Sequence, residues 1–325
     1  MSSQNLRKHL NKSMANYCFM QTSITFEVET DLKECEKLWR TFSRDRYYSD
    51  LWEYRICFYD ENYCKLHFIV GKEDGKVIGI LPLWNVIQDN SYDFFGGDLF
   101  ERNFFMIKDA KLIPVFIENL PRETHLHYIE KGQNELHPLK EITKRYYMNL
   151  EKFDWNFDKY LATFSKKHRK NMRRDLKIVS ELKPRLVENR MDDFEILVKL
   201  NDNRFQEDSF LHEEVFIKGF KQLLELAKNR NELHLLSIEI NGKTESVQAA
   251  ILFKDIYYVL LGGNNLKISN IGKLMIVEHI SNAIKLRAKE MDFLSTTSGW
   301  KDLWNLETES HYGYTNSKDD FYFDY

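Results

Sequence analysis

The chain has 325 residues, 43% of them hydrophobic and 30% charged, with a formal net charge of −3. That length points to roughly two domains, and the near-neutral balance excludes a chain drawn as a whole to nucleic acid or to an anionic membrane. No apolar run approaches the ~20 residues of a membrane span, and the polar start MSSQNLRKHLNKS lacks the apolar core of a secretory signal, so a cytoplasmic protein is expected. Cys18, Cys35, Cys57 and Cys64 form no Cys-x-x-Cys pair and have no histidine at metal-ligand spacing, so free thiols and no metal site are expected.

In chain order, residues 1–22 read as a tail. Ile24 to Val28 alternates like a strand. Thr30 or Asp31 caps a helix through Trp39. The aromatic-rich stretch Tyr47 to Phe58 reads as a second helix or a loop lining a cleft. Leu66–Gly71 and Lys76–Leu83 form a hairpin on Asp74-Gly75, with Pro82 marking an edge or a bulge. Tyr92 to Gly97 is a strand ending in paired glycines. Lys111 to Leu120 reads as a helix, and Leu126–Glu130 and Tyr146–Leu150 as strands. The second half repeats this order. Helical segments lie within 156–182, 191–205 and 215–228, and an Asn241-Gly242 hairpin joins 233–240 to 247–253. Ile256 to Leu261 is a buried strand that stops at Gly262-Gly263. Gly272 opens an amphipathic helix, and 291–294 resumes as a strand. The repeat argues for two α/β domains of one fold with a cleft between them.

Strand, glycine turn, helix and strand place an anion at a helix N-terminus, where unpaired N–H groups and the helix dipole favour negative charge. A second cationic feature is the segment 164–177, FSKKHRKNMRRDLK. Lys166, Lys167, Arg169, Lys170, Arg173, Arg174 and Lys177 cover most of that helix. It reads either as a solvated face or as the contact for a phosphate-rich partner such as coenzyme A, a nucleotide or tRNA.

Taken together, FIVGKEDGKVIGILPLW, YDFFGGDLF, SKKHRKNMRRDL, LHLLSIEINGKTESVQAAILF, YYVLLGGNN and GWKDLW resemble the GNAT acyltransferases. More closely, they resemble the CelD/BcsL-like double-GNAT acetyltransferases associated with cellulose biosynthesis, which are related to the Fem peptidyltransferases. The resemblance implies an α/β (α+β) fold of tandem GNAT-like domains, each a mixed central sheet flanked by helices. Residues 23–152 are the expected acceptor-side domain and 153–325 the donor-side domain. It also implies acyl transfer to an amine from acetyl-CoA or another acyl-CoA, or, in the Fem branch, from aminoacyl-tRNA. The acceptor would be a small-molecule or sugar amine, with no DNA partner. A pair that has lost catalysis and only binds a partner is the third reading.

The family's phosphate loop, Arg/Gln-x-x-Gly-x-Gly/Ala, corresponds here to Lys267, Asn270 and Gly272. Gly262, Gly263 and Lys273 are the further candidates for holding the donor. After Gly96-Gly97 no such loop follows, because Asp98 and Glu101 would repel a phosphate. The aromatic–Lys–x–x–Trp signature makes Lys301 the candidate side-chain donor to an oxyanion or phosphate. Trp300 and Trp304 either wall the site or pack in the core. Arg204, before Phe205, clamps an anionic substrate or serves as a surface ion-pair partner, and Lys167, Arg169 and Lys170 are substrate-binding candidates. An attacking amine of pKa ~10 must lose a proton. Tyr258, Glu278, Glu245 and His279 are the candidate bases, none singled out by the sequence.

Overall fold

The computed structural model describes residues 24–133, 139–295 and 299–317; the expected tail and Cys18 lie outside them. Strand β1 (Ile24–Glu29) leads into helix α1 (Leu32–Phe42), which Asp31 starts by accepting hydrogen bonds from the N–H groups of Lys33 and Glu34. The aromatic stretch is neither one helix nor an open loop. It folds into short helical turns, among them α2 (Trp52–Arg55). Strands β2 (Cys64–Glu73) and β3 (Lys76–Val86) turn on Asp74 and Gly75, both at positive φ, as a two-residue hairpin of the I′ kind requires.

Pro82 does not mark an edge or a bulge. It lies inside β3, opposite Phe68 of β2. On its other side β3 pairs with β4 (Ser91–Phe94) from Leu83 onward and with β5 (Met106–Ile107) up to Ile80. The proline therefore sits in the gap between two partners, where no ladder N–H is needed. Helix α3 (Ile113–Ile117) is shorter than 111–120, being preceded by a 3₁₀ turn. It leads to β6 (Thr124–Ile129) and β7 (Lys140–Asn149), a strand that starts well before Tyr146.

The second half runs α4 (Phe157–Ala162), α5 (Lys166–Ser180), β8 (Arg185–Glu188), α6 (Asp193–Phe205) and α7 (Glu214–Asn229). It continues with β9 (Leu233–Ile240), β10 (Lys243–Phe253), β11 (Ile256–Asn264), α8 (Ile271–Lys285), β12 (Glu290–Asp292) and β13 (Glu307–Thr315). Asn241 and Gly242, at positive φ, close the β9–β10 hairpin. Strands β8 and β13 were not expected, and β11 does not stop at Gly262 but continues through both glycines to Asn264.

The thirteen strands of the described residues form one mixed sheet in the order β1-β2-β3-β4-β6-β13-β7-β12-β11-β10-β9-β8, with β5 on β3. Among these strand pairs β4–β6 and β11–β12 are the parallel ones, so each half repeats the same sequence of pairings. The halves then exchange their last strands: β7 pairs with β12, β13 pairs with β6, and β7 and β13 pair with each other at the centre. One core cluster also spans both halves, joining Trp39, Phe58 and Phe68 to Phe194, Phe220 and Tyr258. On the opposite face of β11, Tyr257 and Val259 pack with Ile280 and Ala283 of α8 and Met172 of α5.

Gly263 is where α6 approaches the sheet most closely. A Cβ there would stand 2.6 Å from Leu200 Cβ and 2.8 Å from both Asn201 N and Leu197 O, whereas at Gly262 it would meet only the Gln248 side chain, at 3.1 Å or more. Helix backbone cannot yield as a side chain can. Gly263→Ala should therefore cost about 1–3 kcal/mol in denaturant unfolding, and Gly262→Ala clearly less. Equal costs would contradict this packing.

Candidate functional site

The parallel strands β11 and β12 stay together for three residues only. Ile256–Tyr258 pair with Glu290–Asp292, and from Val259 onward β11 pairs, among the described residues, with β10 alone. At the point of divergence Ala249 faces Leu261 and Ala250 faces Val259, so Leu260 is an extra residue. Such a bulge bends the strand and leaves its extra residue out of the ladder. Leu260, Leu261 and Gly262 are half-buried, along a free strand edge.

The chain then turns into α8. Asn270 stands at the N-cap with φ 65°, ψ 7° and no side-chain cap hydrogen bond, the left-handed conformation that asparagine tolerates. A Cβ on Gly272 would come 3.2 Å from the Asn264 amide. Lys267 is exposed. Lys273 is paired with Asp175 of α5 at 2.5 Å, and this pair sets the basic helix beside the start of α8. Six cations of α5 are exposed: Lys166, Lys167, Lys170, Arg173, Arg174 and Lys177. Arg169 is turned inward instead, donating to the carbonyls of Ala162 and Phe164.

At the base of the splay lies Lys301, in a short 3₁₀ helix after β12 and 4% exposed. Its ammonium donates to the carbonyl of Leu294 at 3.1 Å and lies 5.2 Å from the Tyr146 ring centre. Burial pushes its pKa down, against the carboxylates of Glu101 and Asp292. Glu101 comes from the other half, on the loop after β4. It accepts the Ser295 N–H, and burial pushes its pKa up, against the charge of Lys301. The buried Arg55 fixes that loop. Its guanidinium donates to the carbonyls of Phe95 (2.7 Å), Arg102 (3.1 Å) and Ser49 (2.7 Å) and to Asn103 Oδ1 (2.8 Å).

Beside Glu101, two arginines meet three carboxylates. Asp292, 1% exposed, accepts from Arg102 at 2.9 Å and Arg145 at 3.0 Å. Glu290 accepts from Arg145 at 2.7 Å and Glu309 from Arg145 at 2.7 Å. Burial would raise the Asp292 pKa, but Arg102 and Arg145 outweigh it and hold the carboxyl below its usual range. His311 is pushed down to about 4, mainly by burial, and is uncharged at neutral pH. Tyr48, Tyr258, Ser49, Glu101 and Leu294 complete the wall of a narrow cavity here.

The fold brings Lys301 and Tyr258 to one place, and Lys267, Asn270, Gly272 and Lys273 to the turn into α8. Glu278 stands apart. It lies half-buried on α8, on the face of the sheet opposite Tyr258, where burial raises its pKa. His279 is buried against the Tyr257 hydroxyl at 2.8 Å and is pushed down to about 3 by burial. Glu245 is engaged by Asn265 at 2.6 Å and Lys243 at 3.3 Å. Gly263 is closed by α6, and the Gly262 carbonyl accepts from Asn201 at 2.8 Å. Trp304 is core, its carbonyl bonded by the Tyr160 hydroxyl, while Trp300 is half-buried against Phe293. Arg204 is exposed and stacked over Phe205.

Glu101, Arg102, Arg145 and Asp292 were not foreseen as site residues. The signal for Asp292 is an aspartate between Met291 and Phe293 in an apolar strand. Removing it leaves two buried guanidiniums short of a partner. Asp292→Ala should cost about 3–5 kcal/mol in denaturant unfolding, far more than Glu309→Ala, whose side chain is 40% exposed. Comparable losses would contradict the central place of Asp292.

Comparison with known proteins enters at this point. Residues 166–302 match the family described as acetyltransferase (GNAT) domain, from the first residue of α5 to the residue after Lys301. No curated protein matches significantly. Among solved structures, FemX is similar with a TM-score of 0.52 and 11% identity, covering 89% of this chain and 98% of that one. L-PGS from Bacillus licheniformis follows with 0.51 and 10%, covering 89% and 93%. A conserved protein of unknown function from Bacteroides thetaiotaomicron gives 0.50 and 12%, covering 89% and 99%. At these identities the likeness is one of fold, and it runs through both halves. Residues 166–302 are thus similar to a GNAT acetyltransferase domain, and the chain as a whole has the mixed α/β fold of these structures.

Proposed function

We propose that the protein is an N-acyltransferase that moves an acyl group from an acyl-CoA thioester to an amine. The observation that carries this reading is the β11–β12 splay, bulged at Leu260, with an uncapped helix N-terminus at its outer end and Lys301 at its base. The resemblance to CelD/BcsL-like acetyltransferases is the finer form of the same proposal.

The residues present suit a phosphate-bearing thioester. The first N–H groups of α8 and Gly272 would hold phosphate, aided by Lys267 and by α5, while Asp175 keeps Lys273 partly neutralised. The free edge of β11 would hold the donor's amide-bearing arm, and the backbone at Leu260 would supply a donor to the developing oxyanion. Glu101, raised toward neutrality, is suited to accept the proton of the attacking amine. Lys301, lowered toward neutrality, is suited to donate to oxyanion or leaving group. A second reading, transfer from aminoacyl-tRNA as in the Fem branch, is favoured by one observation, the six exposed cations of α5 beside that helix N-terminus.

Acetyl-CoA or a longer acyl-CoA at about 100 times its Kd should stabilise the protein by roughly 2.7 kcal/mol in thermal unfolding. Gly272→Val, which crowds the helix start, should remove that effect. No stabilisation by any thioester, with retention of aminoacyl-tRNA in a gel shift, would replace the first reading by the second. Lys301→Met fills the same space without the charge. It should lower turnover by about 10²-fold or more with acyl-CoA affinity kept. Parallel loss of affinity and folding would remove Lys301 from the chemistry.

A further inference from the structure

One small hollow at the junction of the halves is walled by six side chains that can accept hydrogen bonds, those of Tyr48, Ser49, Glu101, Tyr258, Asp292 and His311; Asp292 is already engaged by Arg102 and Arg145, and His311 by Ser295. It leaves room for a group about the size of one water molecule. Tyr258 and Ser49 are 1% and 2% exposed, and neither hydroxyl has a hydrogen-bond partner among the described residues. Buried hydroxyls are nearly always bonded, so two orphans on one wall point to a ligand. The surrounding charge does not oppose a cation. The cations Arg102, Arg145 and Lys301 face the carboxylates of Asp292, Glu290, Glu309 and Glu101. Arg102 Nε is an unpartnered donor on the same wall, but its charge is already compensated, and the Tyr47 ring covers that guanidinium at 4.0 Å.

We propose that this hollow seats the ammonium group of the acceptor and restricts the acceptor to an unhindered primary amine. The three N–H bonds of R–NH₃⁺ would go to the oxygens of Tyr258, Ser49 and Glu101. Each N-methyl group removes one donor and exceeds the room. Glu101 takes one proton from the ammonium. The neutral amine then forms the C–N bond as the thioester C–S bond breaks, and the departing sulfur takes the second proton. The products are an amide, a thiol and protonated Glu101.

The word acceptor rests on the acyl-transfer reading, but the test contains no thioester, so the two fail separately. Methylammonium chloride and trimethylammonium chloride are titrated calorimetrically into the full chain at neutral pH and matched ionic strength. Saturable methylammonium binding is expected, at least tenfold tighter than trimethylammonium. It should weaken about fivefold or more in Tyr258→Phe and in Ser49→Ala. Both variants delete an unpartnered group, so their folding should hold. Absent methylammonium binding, equal affinity for the two ions, or affinity unchanged in both variants would each overturn the proposal. If acyl-CoA stabilises the protein and methylammonium does not bind, this inference falls and the donor reading stands.

Discussion

Asp292 is the constraint on which the centre of the molecule depends. Its carboxylate is buried between Arg102, carried by the loop after β4, and Arg145, carried by β7. Neither arginine belongs to the strand–helix–strand unit that contains Asp292. A buried ion cluster of this kind contributes little net stability relative to an apolar core, yet breaking it is costly because the remaining charges stay buried. Its effect is to fix register. Asp292 sits opposite Tyr258 on β11 and Tyr147 on β7, so a slip of one residue would turn the carboxylate into the apolar layer around Met291 and Phe293.

The strand exchange explains why such a cluster exists. Because β7 crosses to β12 and β13 crosses to β6, residues of both halves converge on one short stretch of sheet. Lys301 and Asp292 come from one half, and Glu101, Arg102 and Arg145 from the other. The loop after β4 occupies in the first half the place that the turn into α8 occupies in the second. There it holds no open anion site. Phe100 packs against Gly96, Trp84 against Gly97, and Asp98 pairs with His127 at 2.7 Å. Its acidic residue is instead delivered to the partner half, where it faces Lys301. One copy of the repeat retains the splay and the helix start, and the other contributes Glu101, the proposed proton acceptor.

Much of the fold was legible from local chemistry. Asp74-Gly75 and Asn241-Gly242 specify their hairpins, Asp31 its helix, and the helix at Gly272 follows from periodicity and from the left-handed tolerance of Asn270. What the sequence hid is non-local. The end of β11 looked like a glycine turn because two glycines usually break a strand. Here Gly263 is required by the close approach of α6, a contact with residues some sixty positions earlier in the chain. Lys301 stood out only through the resemblance of GWKDLW to a family signature. Glu101 was seen only as an obstacle to phosphate, because its partner Lys301 lies in the other half. Glu278 appeared eligible because the sequence does not say which face of the sheet α8 covers.

The account's central claim is that a half-buried carboxyl and a buried amine, one from each half, share the chemistry. The measurement that tests it most directly is the pH dependence of acyl transfer in the wild type and in Glu101→Gln. Burial raises the Glu101 pKa above the ordinary ~4.3 and lowers that of Lys301 below the ordinary ~10.4. Activity should rise as Glu101 loses its proton and fall as Lys301 loses its own, giving a bell with both limbs drawn toward neutrality. In Glu101→Gln the acidic limb should vanish along with most of the rate. A wild-type profile with limbs at the ordinary values, or an acidic limb that survives in the variant, would contradict the claim.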